Sequence, residues 1–428
     1  MKQADAFWNA TAEDGLPVQR LQEPLTCDVA VVGGGFTGLR AALMLAEAGV
    51  DVALFEAGDV ANGASGRSGG QVNPMLPVAS PAELRQAVGS AYFERLADAA
   101  LRSADDLFDL VKTYQIRCEA RQLGWLRADH SASARTTARR NAKLWNEMGA
   151  AFEFVDGDSV AKLTGARGYA SGTINTRGGA VQPLALARGL HAAANAAGAR
   201  VFGGSPVRSL KLRGKRWMLG MNGFEVAAEK VIIATNGYTD ALVPGLKQGL
   251  LPLTSIQIAT GPLPPERLEQ LCPQGHTISD TRRLIMYCRK EPGGQFIYGG
   301  IGFQKPFGGI GGWSWLYRDA ARIFPALKGV TWRYRWGGRI ALTPDRIPQL
   351  SESQPGLIAG LGYNGRGVAM SLVMGREMAR RALGVAPDQL PFPMRPLQRY
   401  PFRTSQFIGA GLAMGYWRAL DQIEMRRG

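Results

Sequence analysis

The chain is poor in the residues that build metal centres and disulfide frameworks: its 428 residues include four cysteines and three histidines. Cys27, Cys118, Cys272 and Cys288 lie far apart and show no CxxC spacing, which argues against a metal site of the zinc type and against a disulfide-stapled domain. Free thiols are the expectation. No apolar run approaches the roughly 20 residues needed to cross a bilayer, and no apolar stretch of signal-peptide type precedes Cys27. A cytoplasmic protein with no transmembrane segment is therefore expected. Internal repeats and low-complexity linkers are missing too, which excludes a solenoid or a tethered array.

Acidic residues are also in short supply, with 35 Asp and Glu against 50 Lys and Arg and a formal charge of +15. Such an excess raises the question of nucleic-acid binding. The basic residues are dispersed as singles and pairs, such as Arg139-Arg140, Arg282-Arg283 and Arg380-Arg381, and form no block. A solvated basic surface is preferred to a nucleic-acid groove, so no nucleic-acid partner is expected. A positive field would still steer a carboxylate-bearing substrate toward a cleft.

Glycine, by contrast, is plentiful and placed. The apolar run Cys27-Asp28-Val29-Ala30-Val31-Val32 empties into Gly33-Gly34-Gly35-Phe36-Thr37-Gly38, a helix-like stretch runs from Phe36 to Ala48 and stops at Gly49, and a second strand from Asp51 to Phe55 delivers Glu56-Ala57. This is a dinucleotide-binding fingerprint. Gly33 permits the tight turn, Gly35 lets backbone approach a pyrophosphate, and Gly38 lets the helix pack closely on its strand. The helix N-terminus at Phe36 and Thr37 then faces the anion with unpaired N–H groups. An acid at Glu56 accepts hydrogen bonds from ribose hydroxyls and disfavours a 2′-phosphate, so FAD or NAD is expected over NADP. The small-residue segment Asn62-Gly63-Ala64-Ser65-Gly66-Arg67-Ser68-Gly69-Gly70-Gln71 can lie flat against a large planar ligand, which points to FAD.

These motifs, together with Val231-Ile232-Ile233-Ala234-Thr235-Asn236-Gly237-Tyr238 and Gly362-Tyr363-Asn364-Gly365-Arg366-Gly367-Val368, resemble the D-amino-acid-oxidase-like FAD amine oxidoreductases over nearly the whole chain. Phe7-Trp8-Asn9-Ala10, Tyr334-Arg335-Trp336-Gly337-Gly338 with Leu342-Thr343, and the stretch from Ala413 to Trp417 are most similar to the gamma-glutamylputrescine oxidoreductases within that family. The resemblance implies FAD and oxidation of a C–N bond by hydride transfer to flavin N5; non-covalent binding is favoured, since no motif argues for a covalent link. It also implies a small-molecule amine substrate, with oxygen or another electron acceptor. A residue near Val207 is implied to contact the cofactor, as are Ala234 and the loop Gly362, Asn364, Gly365, Gly367 and Val368. A helix N-terminus aimed at the flavin there would stabilise the charge of its reduced form.

The implied fold class is α/β with an α+β second domain: a discontinuous Rossmann-like FAD-binding domain from 24–78, 173–240 and 338–385, a substrate domain on a mixed or antiparallel sheet from 79–172 and 241–337, and a C-terminal extension with a helix at 386–428. Periodicity predicts helices from Ala82 to Lys112, Ala134 to Met148, Pro183 to Ala197, Val368 to Leu383 and Ala410 to Met425. Gly293-Gly294 reads as a hairpin turn. Docking of the last helix on the body through Tyr416-Trp417 is the preferred expectation.

Substrate candidates are Tyr287, Tyr298, Trp336, Arg339, Tyr363 and Asn364. Trp336 could wall an alkylamine cage. Arg339 stands where the family pattern carries an uncharged residue, which makes it either a carboxylate anchor or an ion-pair partner. A gamma-glutamyl amine is the leading substrate, a secondary or D-amino acid of sarcosine type the alternative, and a flavin-bearing RNA-modification or assembly protein the reading of another class.

Overall fold

The computed structural model describes residues 6–78, 80–305, 309–396, 398–400 and 414–425. Strand Leu25–Val32 is buried from Val29 to Val32 because parallel neighbours, Val52–Phe55 and Phe224–Ile233, flank it on both sides. Continuous β-branched runs suit such two-sided burial. Around this strand an eight-stranded sheet runs in the order Gln349–Gln354, Leu357–Leu361, Phe224–Ile233, Leu25–Val32, Val52–Phe55, Arg200–Phe202, with the hairpin Ser209–Arg213 and Arg216–Met221 attached to Phe224–Ile233. Helix Phe36–Glu47 packs between helices Pro183–Ala196 and Gly367–Ala382. Its N-terminus therefore stands at the carboxyl end of the central strand, where open α/β sheets bind ligands.

A nine-stranded sheet forms the second body of structure, in the order Trp332–Leu342, Leu251–Thr260, Phe296–Gln304, Met286–Lys290, Thr277–Asp280, Trp125–Asp129, Ser171–Asn175, Phe152–Asp156, with Ile310–Gly311 added to Phe296–Gln304. Every pairing is antiparallel except that of Thr277–Asp280 with Trp125–Asp129. The mixed helix-and-sheet class expected from the sequence is the one observed. Gly294, at φ +80°, turns the chain between Met286–Lys290 and Phe296–Gln304 as expected.

The structure departs from the sequence reading in several places. The single helix expected from Ala82 to Lys112 is two, Pro81–Val88 and Ser90–Thr113, because Gly89 at φ +79° ends one and opens the other. The nine-stranded sheet also recruits strands Trp125–Asp129, Phe152–Asp156 and Ser171–Asn175, on either side of the expected helix from Ala134 to Met148, where the sequence reading named no strand. Strand Trp332–Leu342 stays paired with Leu251–Thr260 as far as Leu342, so it runs past the boundary expected at 337. Likewise Ser171–Asn175 keeps its pairing past 173.

Residues 414–425 are helical, while 410–413 of the expected helix lie outside the described residues. The helix docks through its acids and not through its aromatic pair. Asp421 accepts from the backbone N–H of Arg283 and Leu284, and Glu424 pairs with Arg283 and with His130, whereas Tyr416 is 65% exposed. No helix among the described residues is long and apolar enough to cross a membrane. The four cysteines are free and buried, and burial pushes the thiols of Cys27 and Cys118 up to about 12, which leaves them unreactive. Cys288, beside Tyr287 in sequence, is fully buried in the second sheet.

Candidate active site

The turn after the central strand is tied by its own backbone. The N–H of Gly33 donates to the Phe55 carbonyl at 2.9 Å, that of Gly34 to Glu56 Oε2 at 2.7 Å, and that of Gly58 to Glu56 Oε1 at 3.0 Å. Glu56 thus clamps both turns while facing the cavity, and each carboxylate oxygen keeps a further lone pair for a ribose hydroxyl. At the helix start the N–H of Phe36 donates to Ser65 Oγ at 3.0 Å, which fastens the glycine-rich loop to the fingerprint. A Cβ on Gly38 would lie 2.0 Å from the Gly33 carbonyl oxygen, so only glycine allows this approach of helix to turn.

The loop from Ser65 to Gln71 is held from behind. Trp8 Nε1 donates to the Ser68 carbonyl at 2.8 Å, while Trp336 Nε1 and Gln257 Nε2 donate to the Arg67 carbonyl at 3.1 and 2.8 Å. The peptides are trans, so the N–H groups of Ser68 and Gly69 point the opposite way. Arg289, 1% exposed, donates to the carbonyls of Gly70 and Val181 at 2.7 and 2.9 Å, and pairs with Glu291 beneath the Trp8 ring. Gln71 Nε2 reaches the carbonyls of Ile278 and Cys288 at 3.0 and 2.9 Å, which stitches the loop to the second sheet.

On the opposite side, Tyr363 shares a 2.6 Å hydrogen bond with Thr37 Oγ1, joining the C-terminal loop to the fingerprint helix. Tyr287 fits its ring between Gly69 and Gly299, where a Cβ would meet Tyr287 Cε2 at 3.0 and 2.2 Å, and its hydroxyl meets Ser255 Oγ at 2.5 Å. Burial raises the pKa of both tyrosines, so each keeps its proton and neither serves as a base.

These elements enclose a cavity of about 2210 Å³. That exceeds the roughly 300–1,000 Å³ of an ordinary small-molecule pocket and leaves room for a dinucleotide and a substrate together. Gly33, Gly35, Phe36, Thr37, Glu56 and Ala57 line one end. Gly63, Ser65, Arg67, Ser68, Gly69 and Gln71 continue the wall, with Val207 and Ala234 beside them. Gly365, Gly367 and Val368 face them, along with Tyr287, Arg339, Tyr363 and Asn364. A cradle that a Cβ would fill, a helix N-terminus and a paired acid suit the pyrophosphate and ribose of FAD.

Five expected site residues stand behind this lining. Tyr298 is fully buried, and its hydroxyl donates to Asp319 at 2.7 Å on the far side of its sheet, so it is no substrate contact. Trp336 supports the loop through its indole N–H and packs against Trp8 and Phe7, so it forms no cage wall. Gly38, Gly70 and Gly362 serve close packing: a Cβ on them would strike the Gly33 oxygen, the Val181 oxygen and Thr343 Cγ2 at 2.0, 2.3 and 2.2 Å. Asn364 does line the cavity, yet its amide is spent on Thr343 and on the Gly362 carbonyl, where it holds its own φ of +52°. Arg339 is exposed, its guanidinium 5.7 Å from the Tyr238 ring.

Sequence reasoning missed Trp8 and Arg289 as supports of the glycine-rich loop, and Arg127 and Arg366 as residues that line the cavity. Arg366 lay within a quoted motif, and its charge was the available signal. Replacing Glu56 with glutamine is expected to weaken FAD retention by about 1–3 kcal/mol, the range for hydrogen bonds to a charged group. Equilibrium dialysis of the flavin measures this; unchanged affinity would place the ribose contact elsewhere.

Comparison with known proteins agrees with this geometry. Residues 28–381 match the family model described as DAO, FAD dependent oxidoreductase. The gamma-glutamylputrescine oxidoreductase of Escherichia coli (strain K12) is 30% identical over 98% of this chain and 98% of its own length. A probable oxidoreductase, OrdL, of Rhizobium meliloti (strain 1021) is 30% identical over 83% of each chain. Among solved structures, glycine oxidase from Geobacillus kaustophilus superposes with a TM-score of 0.71 at 21% identity, covering 88% of this chain and 100% of that one, a likeness of fold. The chain belongs to the DAO family of FAD-dependent oxidoreductases.

Proposed function

We propose that this enzyme oxidises the C–N bond of an amine whose remote end carries a carboxylate, a gamma-glutamyl amine such as gamma-glutamylputrescine. The observation that carries the proposal is one continuous cavity running from the fingerprint to the face of the nine-stranded sheet, with arginines on its walls. Similarity along the full length of a gamma-glutamylputrescine oxidoreductase supports the same reading. In this reading the eight-stranded sheet presents the cofactor and the nine-stranded sheet the substrate.

When bound, FAD would supply the acceptor for a hydride from the carbon next to nitrogen. The chain's own task is then positioning and exclusion of water. Glu56 would hold the ribose, the backbone of Gly33 to Thr37 would receive the pyrophosphate, and the Ser65 to Gly69 loop would support the ring system. Tyr287, fixed by Ser255 and two glycines, presents a rigid aromatic edge to the substrate. The paired donors behind Arg67 and Ser68 keep the loop from shifting when substrate enters.

Anaerobic flavin bleaching against a panel of amines tests the proposal. Gamma-glutamylputrescine is expected to reduce the flavin faster than free putrescine, which lacks the carboxylate. Equal rates would remove the carboxylate argument, and preferential bleaching by sarcosine or a D-amino acid would overturn the substrate class.

A further inference from the structure

We propose that Arg127 and Arg366 together form the subsite that receives the substrate carboxylate. The inference rests on the reading that the substrate is a carboxylate-bearing amine, and it moves the anchor away from Arg339.

The two arginines come from separate elements, a strand of the nine-stranded sheet and the start of a helix, and converge. Arg127 sits in strand Trp125–Asp129, two residues from Trp125 and so on the same face of the sheet. Arg366 stands at the start of helix Gly367–Ala382 and crosses to that face, where its guanidinium lies 4.2 Å from the centre of the Trp125 ring. Trp125 is itself fixed, 2% exposed with Nε1 donating to Ser279 Oγ at 2.9 Å. A stacked guanidinium on a pinned indole leaves its planar edge of donors free and oriented, the arrangement suited to a carboxylate.

Both side chains line the cavity, and neither has an ion-pair or hydrogen-bond partner for its guanidinium among the described residues. Although Arg127 carries exposed surface, the protein around it still desolvates its charge, consistent with a surface turned to the cavity and not to bulk water. Of the two carboxylates that act on Arg127, Asp280 is held by Arg282, by Tyr169 and by the N–H of Met286, while Asp129 accepts from Ser171 Oγ at 2.7 Å and keeps its other oxygen buried without a hydrogen bond among the described residues. They temper the charge of Arg127 from a distance without pairing with it.

The positions are costly without an anion. Burial lowers the pKa of Arg366, and the like charge of Arg127 lowers it further. Arg366 also occupies the N-cap of a helix with no side-chain cap hydrogen bond, where the dipole favours an acid over a base. Like charges and a helix N-terminus gathered at one cavity wall are relieved together by one bound carboxylate. Arg339 stands apart from this pair, exposed with its guanidinium 5.7 Å from the Tyr238 ring.

The test uses the flavin-loaded enzyme and glutarate, a dicarboxylate with no oxidisable amine, with binding read both by perturbation of the flavin absorbance and by calorimetry. Arg127→Gln and Arg366→Gln are each expected to raise the glutarate Kd roughly tenfold or more, with Arg366→Lys recovering part of the loss. Arg339→Gln is expected to change it less than threefold. A Kd within twofold of the parent in both glutamine variants overturns the subsite. So does a lowered flavin potential with unchanged Kd, which would assign the pair to the cofactor. If a glutamine variant does not fold, Arg127→Lys and Arg366→Lys carry the same comparison, and no change in either overturns the proposal. Glutarate binding that depends on both arginines without reduction by gamma-glutamyl amines would sink the functional reading alone. Reduction by gamma-glutamylputrescine with arginine-independent binding would sink this subsite alone.

Discussion

Gly38→Ala is expected to purify without flavin. The added Cβ would sit 2.0 Å from the Gly33 carbonyl oxygen and 3.2 Å from both the Gly33 carbonyl carbon and Val31 Cγ1. Two of these three atoms are backbone, so no side-chain rotation relieves the clash. Either helix Phe36–Glu47 withdraws from the central strand or the turn opens, and both spoil the cradle. Overpacking of a filled site costs about 1–3 kcal/mol even where neighbours can yield; here they cannot, and the loss falls on the cofactor's own seat. Gly415→Ala, outside the cavity lining, is the control, since its added Cβ meets nothing within 4 Å. The ratio of flavin to protein absorbance in the purified variants measures both. Stoichiometric FAD in Gly38→Ala would show that the helix tolerates a wider approach.

Arg289→Met is expected to destabilise the protein by about 3–5 kcal/mol, the range for breaking a buried ion pair by removing one partner. Arg289 is 1% exposed and Glu291 4% exposed, and the guanidinium also satisfies the carbonyls of Gly70 and Val181. The substitution leaves both carbonyls without that donor, and leaves the Glu291 carboxylate with Arg121, 3.5 Å away, as its ion-pair partner among the described residues. Because Gly70 ends the loop that carries Ser68 and Gly69, the flavin site loosens along with the fold. Urea unfolding followed by flavin release should show both losses together. The double variant Arg289→Met with Glu291→Met is expected to recover part of the stability, since it removes the stranded charge. Equal stability of Arg289→Met and the parent would mean that water replaces the guanidinium in full.

What could be read from the chain alone was local. Strand, turn and helix from Cys27 to Glu47 are contiguous, so the spacing of Gly33, Gly35 and Gly38 is itself the geometry, and Glu56 follows from the length of one βαβ unit. The same holds for Leu357–Leu361 running into Gly365 and the helix at Gly367. Nonlocal pairing decided the rest. Trp336 and Tyr298 read as aromatic walls, yet which face of a strand meets the cavity depends on register and packing partners far away in sequence. Trp8 comes to Ser68 across sixty residues of chain, and Arg289 to Gly70 across more than two hundred. Arg366 was visible as a charge inside a glycine-rich motif. Its direction came from Trp125 on the other sheet, because a flexible cationic side chain takes its orientation from the surface that stacks against it, and that surface exists only in the folded protein.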